Sequence, residues 1–203
     1  MIQYHNGIPF CIMQQEEAGV SINFKAIVGF LENMEPRLMS IPNDKNTAYT
    51  SNDMSARFNQ WNIFYVPEPM LMSVFKLIKI GWKQFNDELA PFGKEPIPIW
   101  IHAHGNIHHK DQKLGYHAHK YPVSGYIAIS SEGSNTDFYT GENEDIKVSI
   151  PNKNGQLVIT IGTIPHETEK WDKNYPRCSI AFNLMTRQEL SLDGCGPIFP
   201  FEV

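Results

Sequence analysis

The 203-residue sequence has little cysteine, few charges and no long apolar run. Each shortage removes a class of protein. Three cysteines, Cys11, Cys178 and Cys195, form an odd, scattered set with no C-x-x-C pair. That excludes a disulfide framework and a thiolate zinc site, and it fits a reducing, cytoplasmic setting. No stretch is long and apolar enough to span a bilayer. The first six residues carry neither the basic region nor the apolar stretch of a signal peptide. Positive charge is scarce too: 17 Lys and Arg stand against 22 Asp and Glu, for a formal net charge of −5. Such a chain is no electrostatic partner for nucleic acid or an anionic membrane. There is no internal repeat or low-complexity segment, and no signal for an oligomeric state. What is present is 41% apolar and 12% aromatic residues, enough for one domain with a sizeable core.

Along the chain, Ile8, Phe10 and Ile12 alternate after the turn Asn6-Gly7 and predict a strand. Residues 21–31 are compatible with a strand or a short helix. Residues 32–60 are polar and proline-punctuated, and read as a long irregular connection, possible as a lid, with room for one short helix. Pro67-Glu68-Pro69 marks a helix start. Leu71, Phe75, Ile78, Trp82, Phe85 and Leu89 then form one apolar face, with Lys76, Lys79 and Lys83 on the other side. Pro91 and Gly93 end that helix. From Pro96 on, short runs rich in Ile, Val, Tyr and Phe alternate with turns. The predicted strands are 97–102, 115–119, 123–130, 137–140, 147–150, 156–161 and 178–184, which suggests a mostly β sandwich or small barrel buttressed by the preceding helix.

Six of the eight histidines fall within residues 102–119. His108-His109 reads as a solvated loop, and His102-Ala103-His104 as a strand end near the site. His117-Ala118-His119 is the stronger pair. If extended, it puts both imidazoles on one side, and imidazole is the commonest metal ligand. A third histidine, His166, follows Pro165 at the end of the strand Gln156–Ile161. Eleven residues later Arg177 opens another strand, whose Arg177, Ser179, Ala181 and Asn183 share one small, polar face. An arginine inside a barrel needs an anion, and its fork suits a carboxylate.

The run His117-x-His119, Ser124-Gly125-Tyr126, Gly133 to Phe138, Gly155 to Pro165-His166, Arg177-Cys178-Ser179 and Phe182-Asn183 resembles the iron(II)- and 2-oxoglutarate-dependent oxygenases, in particular their small bacterial and phage-type members. The likeness covers about residues 97–185. It implies a double-stranded β-helix, a jelly-roll or cupin-like barrel, over residues 96–190 of a single domain 1–203. Residues 1–95 would support it and 191–203 would be a tail. It also implies that Fe(2+) and 2-oxoglutarate are bound. His117 and His166 match the first and last iron ligands. His119 stands where the pattern has Asp or Glu, and is taken as a ligand in that place, with Asp137 as the alternative. Arg177 and Ser179 match the cosubstrate's carboxylate clamp, and Tyr126 is a weaker candidate for the same cosubstrate. The reaction implied is hydroxylation of an unidentified substrate: a protein side chain, a nucleotide or a small metabolite.

Two other readings fit parts of the pattern. A three-histidine cupin enzyme shares the barrel, but cupins usually add a glutamate shortly after H-x-H, and residues 120–131 contain no acid. Arg177 has no role there. A non-enzymatic β-barrel binding module would use the histidines only as hydrogen-bonding groups.

Overall fold

In the computed structural model, residues 2–42, 53–93, 95–191 and 196–202 are described. The strands are β1 (Ile2–His5), β2 (Ile8–Gln14), β3 (Ile99–His108), β4 (Val123–Ser130), β5 (Asn135–Thr140), β6 (Ile146–Pro151), β7 (Gln156–Ile161), β8 (His166–Thr168), β9 (Arg177–Met185) and β10 (Phe199–Glu202). Two helices, α1 (Phe24–Met39) and α2 (Leu71–Leu89), lie between β2 and β3 in sequence. The strands form a seven-stranded sheet in the order β1-β2-β7-β4-β9-β3-β10 and a three-stranded sheet in the order β6-β5-β8. Every pairing is antiparallel. No helix among the described residues is long and apolar enough to cross a membrane.

The large sheet has two unlike faces because its strands alternate strictly. On one face lie Ile101, Ala103 and Ile107 of β3, Cys178, Ile180, Phe182 and Leu184 of β9, and Leu157 and Ile159 of β7, all buried. This face packs under the helices. Residues 21–31, compatible with either structure in sequence, belong to α1. The Asn23 side chain caps its first turn by accepting from the Ala26 N–H at 3.1 Å. Ile27, Phe30, Leu31 and Leu38 recur at helical spacing and are buried. In α2 the buried set is Leu71, Val74, Leu77, Ile78, Gly81, Trp82 and Phe85. Each Leu or Ile fully removed from water in this layer contributes roughly 1.5–3 kcal/mol. Ala90, at φ 43°, stops α2 in the left-handed conformation just before Pro91. The Leu31 side chain of α1 lies directly on the β3 backbone at Gly105. A Cβ added at Gly105 would lie 2.2 Å from Leu31 Cδ2.

The opposite face of the large sheet is polar. In the β3–β9 ladder His102 lies opposite Asn183, His104 opposite Ala181, Asn106 opposite Ser179 and His108 opposite Arg177. Tyr126 and Ser124 of β4 and Thr160 of β7 continue the stripe. The small sheet packs on this face through Phe10, Phe138, Ile150 and Val158. The Phe10 and Phe138 rings meet edge-on at 5.0 Å. One end of the space between the sheets is therefore apolar and filled, and the other is polar.

Three expectations from sequence need correction. Residues 115–119 are not a strand: only His117 pairs, in an isolated bridge with His166. Glycine and the short polar run leave that segment with too few ladder partners. Residues 32–39 are not irregular but complete α1, because Leu38 belongs to its apolar face. His108 is not in a solvated loop, since β3 runs through residue 108 and buries it. His109 is exposed and pairs with Glu35 at 3.0 Å. Of the proposed lid, residues 43–52 lie outside those described. Met54–Gln60 form a 3-10 turn with Met54, Ser55, Ala56 and Arg57 buried.

Candidate metal centre

His117, His119 and His166 meet between the two sheets. One ring nitrogen of each lies within 4.8 Å of the others, and no other cluster of three such donors occurs among the described residues. The ring centroids are 4.3 Å apart for His117–His166, 5.1 Å for His119–His166 and 5.2 Å for His117–His119. Main-chain bonds set this geometry. The His117 N–H donates to His166 O at 3.1 Å and the His166 N–H to His117 O at 2.8 Å, while the His119 N–H donates to Gly162 O at 2.9 Å. The loop carrying two histidines is thus laced to the segment carrying the third.

Each ring is oriented by a contact at Nδ1. His117 Nδ1 meets Gly115 O at 2.8 Å, His119 Nδ1 meets Asn183 Oδ1 at 2.5 Å, and His166 Nδ1 meets Ile164 O at 3.1 Å. All three acceptors are amide carbonyl oxygens, so each Nδ1 carries the proton and Nε2 is the lone-pair nitrogen. His119 Nε2 is buried without a hydrogen-bond partner. Burial pushes the pKa of all three below the ordinary value, that of His119 to about 4, so the rings are neutral at neutral pH. Neutral imidazoles with oriented lone pairs are the protonation state a metal needs. The donor set fits a metal ion.

The surrounding cavity is lined by Ser55, His104, Asn106, Leu114, Ser124, Gly125, Tyr126, Phe138, Val158, Thr160 and Ala181 together with the three histidines. Tyr126, singled out in sequence, lies on this wall, its Oη donating to Asn152 Oδ1 at 2.9 Å. Arg177 is buried at the far end of β9. Its Nη1 donates to Glu169 O at 2.9 Å and its Nη2 to Thr168 Oγ1 at 2.6 Å, and the guanidinium lies 5.9 Å from the Trp171 ring. Burial lowers its pKa to about 10, so it remains a cation. Neither Arg177 nor Ser179 lines the cavity. Asp137 is buried and held by Lys147 Nζ at 2.8 Å and Ser149 Oγ at 2.6 Å. Its neighbour Phe138 reaches His166, with ring centroids 5.3 Å apart, so strand alternation turns Asp137 to the other face.

The sequence reading placed His104 near the site but missed Asn106 and Ser55. His104 and Asn106 are buried on the cavity wall, and His104 Nδ1 and Asn106 Oδ1 have no hydrogen-bond partner. Their signal was present: in Ile101–His108, apolar or small residues alternate with His102, His104, Asn106 and His108. Ser55, from the turn after the long connection, also lines the cavity and lies 3.3 Å from His108 Nε2. No local pattern could have placed it there.

No protein-family model and no curated protein matches the sequence. Solved structures do match the fold. A prolyl-4-hydroxylase from Pseudomonas putida aligns at a TM-score of 0.54 and 12% identity, over 88% of this chain and 88% of that one. HygX from Streptomyces hygroscopicus, solved with nickel and 2-oxoglutarate bound, aligns at a TM-score of 0.56 and 10% identity, over 88% and 82%. The chain has the fold of the 2-oxoglutarate and iron(II) oxygenases. The alpha ketoglutarate dependent epimerase SnoN from nogalamycin biosynthesis aligns at 13% identity and a TM-score of 0.38, over 44% of this chain and 48% of that one.

Proposed function

We propose that this protein is a non-haem, iron(II)- and 2-oxoglutarate-dependent oxygenase built on a double-stranded β-helix. The observation that carries the reading is the convergence of His117, His119 and His166, with each Nδ1 tied to a carbonyl oxygen, in a cavity of this fold. The β-helix is supported by the path of the chain. β3 runs in the large sheet, His117 bridges to the small one, β4 returns to the large, β5 and β6 lie in the small, β7 in the large, β8 in the small and β9 in the large. HygX, with nickel and 2-oxoglutarate bound, supports the cofactor assignment by likeness.

The three histidines would hold the metal, with His119 in the place of a carboxylate. Iron(II) with 2-oxoglutarate supplies dioxygen-dependent oxidation of a substrate C–H bond, coupled to loss of carbon dioxide from the cosubstrate. The protein's own share is placement. Arg177 would receive the cosubstrate's far carboxylate; two of its five N–H donors bond Glu169 O and Thr168 Oγ1, and the fork has others to offer. Ser179 and Tyr126 would be its companions, Tyr126 by turning its O–H away from Asn152 Oδ1. Leu114, Phe138, Val158 and Ala181 exclude water from the polar end of the cavity. Among the described residues, the histidine set leaves Asp137 to its partners Lys147 and Ser149.

A second reading, a three-histidine metal enzyme of the cupin kind that uses no 2-oxoglutarate, is favoured by two observations. The third donor is a histidine, and Arg177 lies off the cavity wall with protein partners. Anaerobic calorimetry separates the two. 2-Oxoglutarate should bind when iron(II) or nickel(II) is present and fail to bind without metal. Metal binding with no 2-oxoglutarate binding would give the site to the cupin reading. Failure to bind either metal would leave a binding module.

A further inference from the structure

The turn Met54–Gln60 lies along the polar stripe of β3 like a strap. At one end Phe58 O meets His102 Nε2 at 2.9 Å, and the Phe58 ring packs on His102 and His104 with centroids 6.0 and 5.7 Å apart. At the other end Ser55 Oγ lies 3.3 Å and Asp53 Oδ2 3.8 Å from His108 Nε2. His108 stands opposite Arg177 in the ladder, so the Asp53 carboxylate enters the neighbourhood of the guanidinium, and its charge acts there. Asp53 is 2% exposed and Arg177 3%. An arginine buried that deeply needs an anion nearby, and the strap brings one. Asp53 is held in place as the cap of its own turn, its Oδ1 accepting from the Ala56 N–H at 3.3 Å.

In this position the strap leaves little room. Ser55 forms part of the cavity wall, Arg177 does not, and the cavity has a free volume of about 40 Å³, the space of a few waters. 2-Oxoglutarate is far larger. To reach Arg177 from the metal it must also run along the stripe that the strap covers. The strap satisfies that stripe poorly, since His104 Nδ1 and Asn106 Oδ1 have no hydrogen-bond partner. A carboxylate already beside Arg177 would repel a second one. We infer that the strap is a built-in competitor of the cosubstrate: Asp53 holds the place of 2-oxoglutarate's far carboxylate, and the cosubstrate binds by displacing it. One anion then replaces another, so the buried guanidinium is paired before and after, and the cavity opens only when cosubstrate arrives. This rests on the proposal that the site takes a metal and 2-oxoglutarate, and it accounts for Arg177 lying off the cavity wall.

Calorimetry on the nickel-loaded full chain compares wild type with Asp53→Asn, which removes the charge and keeps the capping oxygen. Asp53→Asn should bind nickel as wild type does and should bind 2-oxoglutarate about tenfold more tightly. Trypsin reads the strap in wild type alone, so the inference stays testable if the variant does not fold. Arg57 is 4% exposed, its Nη1 donating to Asp53 O at 3.0 Å. Cleavage after Arg57, identified by mass, should be slow with nickel alone and should speed up severalfold when 2-oxoglutarate saturates the site. Unchanged or weaker 2-oxoglutarate affinity in Asp53→Asn would overturn the inference and leave the oxygenase reading standing. Cleavage at Arg57 that bound 2-oxoglutarate leaves unchanged or slows would do the same. Binding of 2-oxoglutarate to neither protein would remove the oxygenase reading and the inference together.

Discussion

His117 and His166 are joined by two main-chain hydrogen bonds, N–H to O in each direction, at 3.1 and 2.8 Å. Two of the three candidate metal donors therefore sit on one antiparallel bridge, in a register fixed by the backbone. Because the bridge needs no side chain, His166→Ala should keep it and fold. The same variant removes one donor of three, so metal occupancy after dialysis should fall below about a tenth of wild type. Elemental analysis of the purified variant checks this, and full occupancy would take His166 out of the site.

The polar stripe of β3 adds to the pH dependence of stability, in the same direction as the three clustered histidines. Burial pushes His102 down to about 4 and His108 down to about 3, the latter helped by the nearby Arg177 charge, and it pushes His104 well below the ordinary value. In the unfolded chain these rings titrate near 6.5. Below that pH the unfolded state binds more protons than the folded one, so stability rises with pH. Folding free energy should be level above pH ~7 and should fall steadily from pH ~6.5 toward 4. Denaturant titrations across that range measure it, and His108→Gln should reduce the slope. A flat profile between pH 7 and 5 would show that these histidines are not buried neutral.

Much of the two sheets was legible because their strands are short, alternating and separated by turns: 123–130 and 156–161 are β4 and β7 to the residue. The helix at 71–89 was legible for the same kind of reason, an unbroken apolar face. The site was legible only in part. His117, His119 and His166 carry a spacing that survives in one dimension, but the acceptors that orient them do not. Gly115 O and Ile164 O are backbone atoms two residues before their histidines, and Asn183 lies 64 positions from His119. The length of β3 was underestimated because four polar residues in eight look solvated until a second sheet covers them.

Gly105 is where the helical layer meets the site strand. A methyl group there would meet Leu31 Cδ2 at 2.2 Å, and Leu31 is fully buried, so its side chain must shift within a packed layer. Gly105→Ala should cost about 1–3 kcal/mol by overpacking. Leu31→Ala alone should cost about 2–5 kcal/mol through the cavity it leaves. In the double variant the new methyl enters that space, so its loss should be less than the sum of the two single losses. Chemical denaturation of the three variants measures the coupling. Strict additivity would mean that α1 can shift off β3 freely.

Arg177 carries both a structural and a proposed binding role, and its substitutions separate them. Arg177→Ala removes a donor from Glu169 O and from Thr168 Oγ1, which still accepts from the Leu114 N–H, and empties the space of a buried side chain, at a stability cost of about 1–3 kcal/mol. It should leave nickel affinity unchanged, since the guanidinium lies off the cavity wall. Its effect on 2-oxoglutarate should be large, with binding to the nickel-loaded protein weakened about tenfold or more by loss of a charged fork. Arg177→Lys keeps the charge and loses the fork, so its affinity should fall between the two. Calorimetry on the folded, metal-loaded variants reads all three quantities. Unchanged 2-oxoglutarate affinity in Arg177→Ala would remove the arginine from the site. Its buried charge would then serve the packing of β9 against Trp171 and β8, and the cosubstrate's far carboxylate would need another partner.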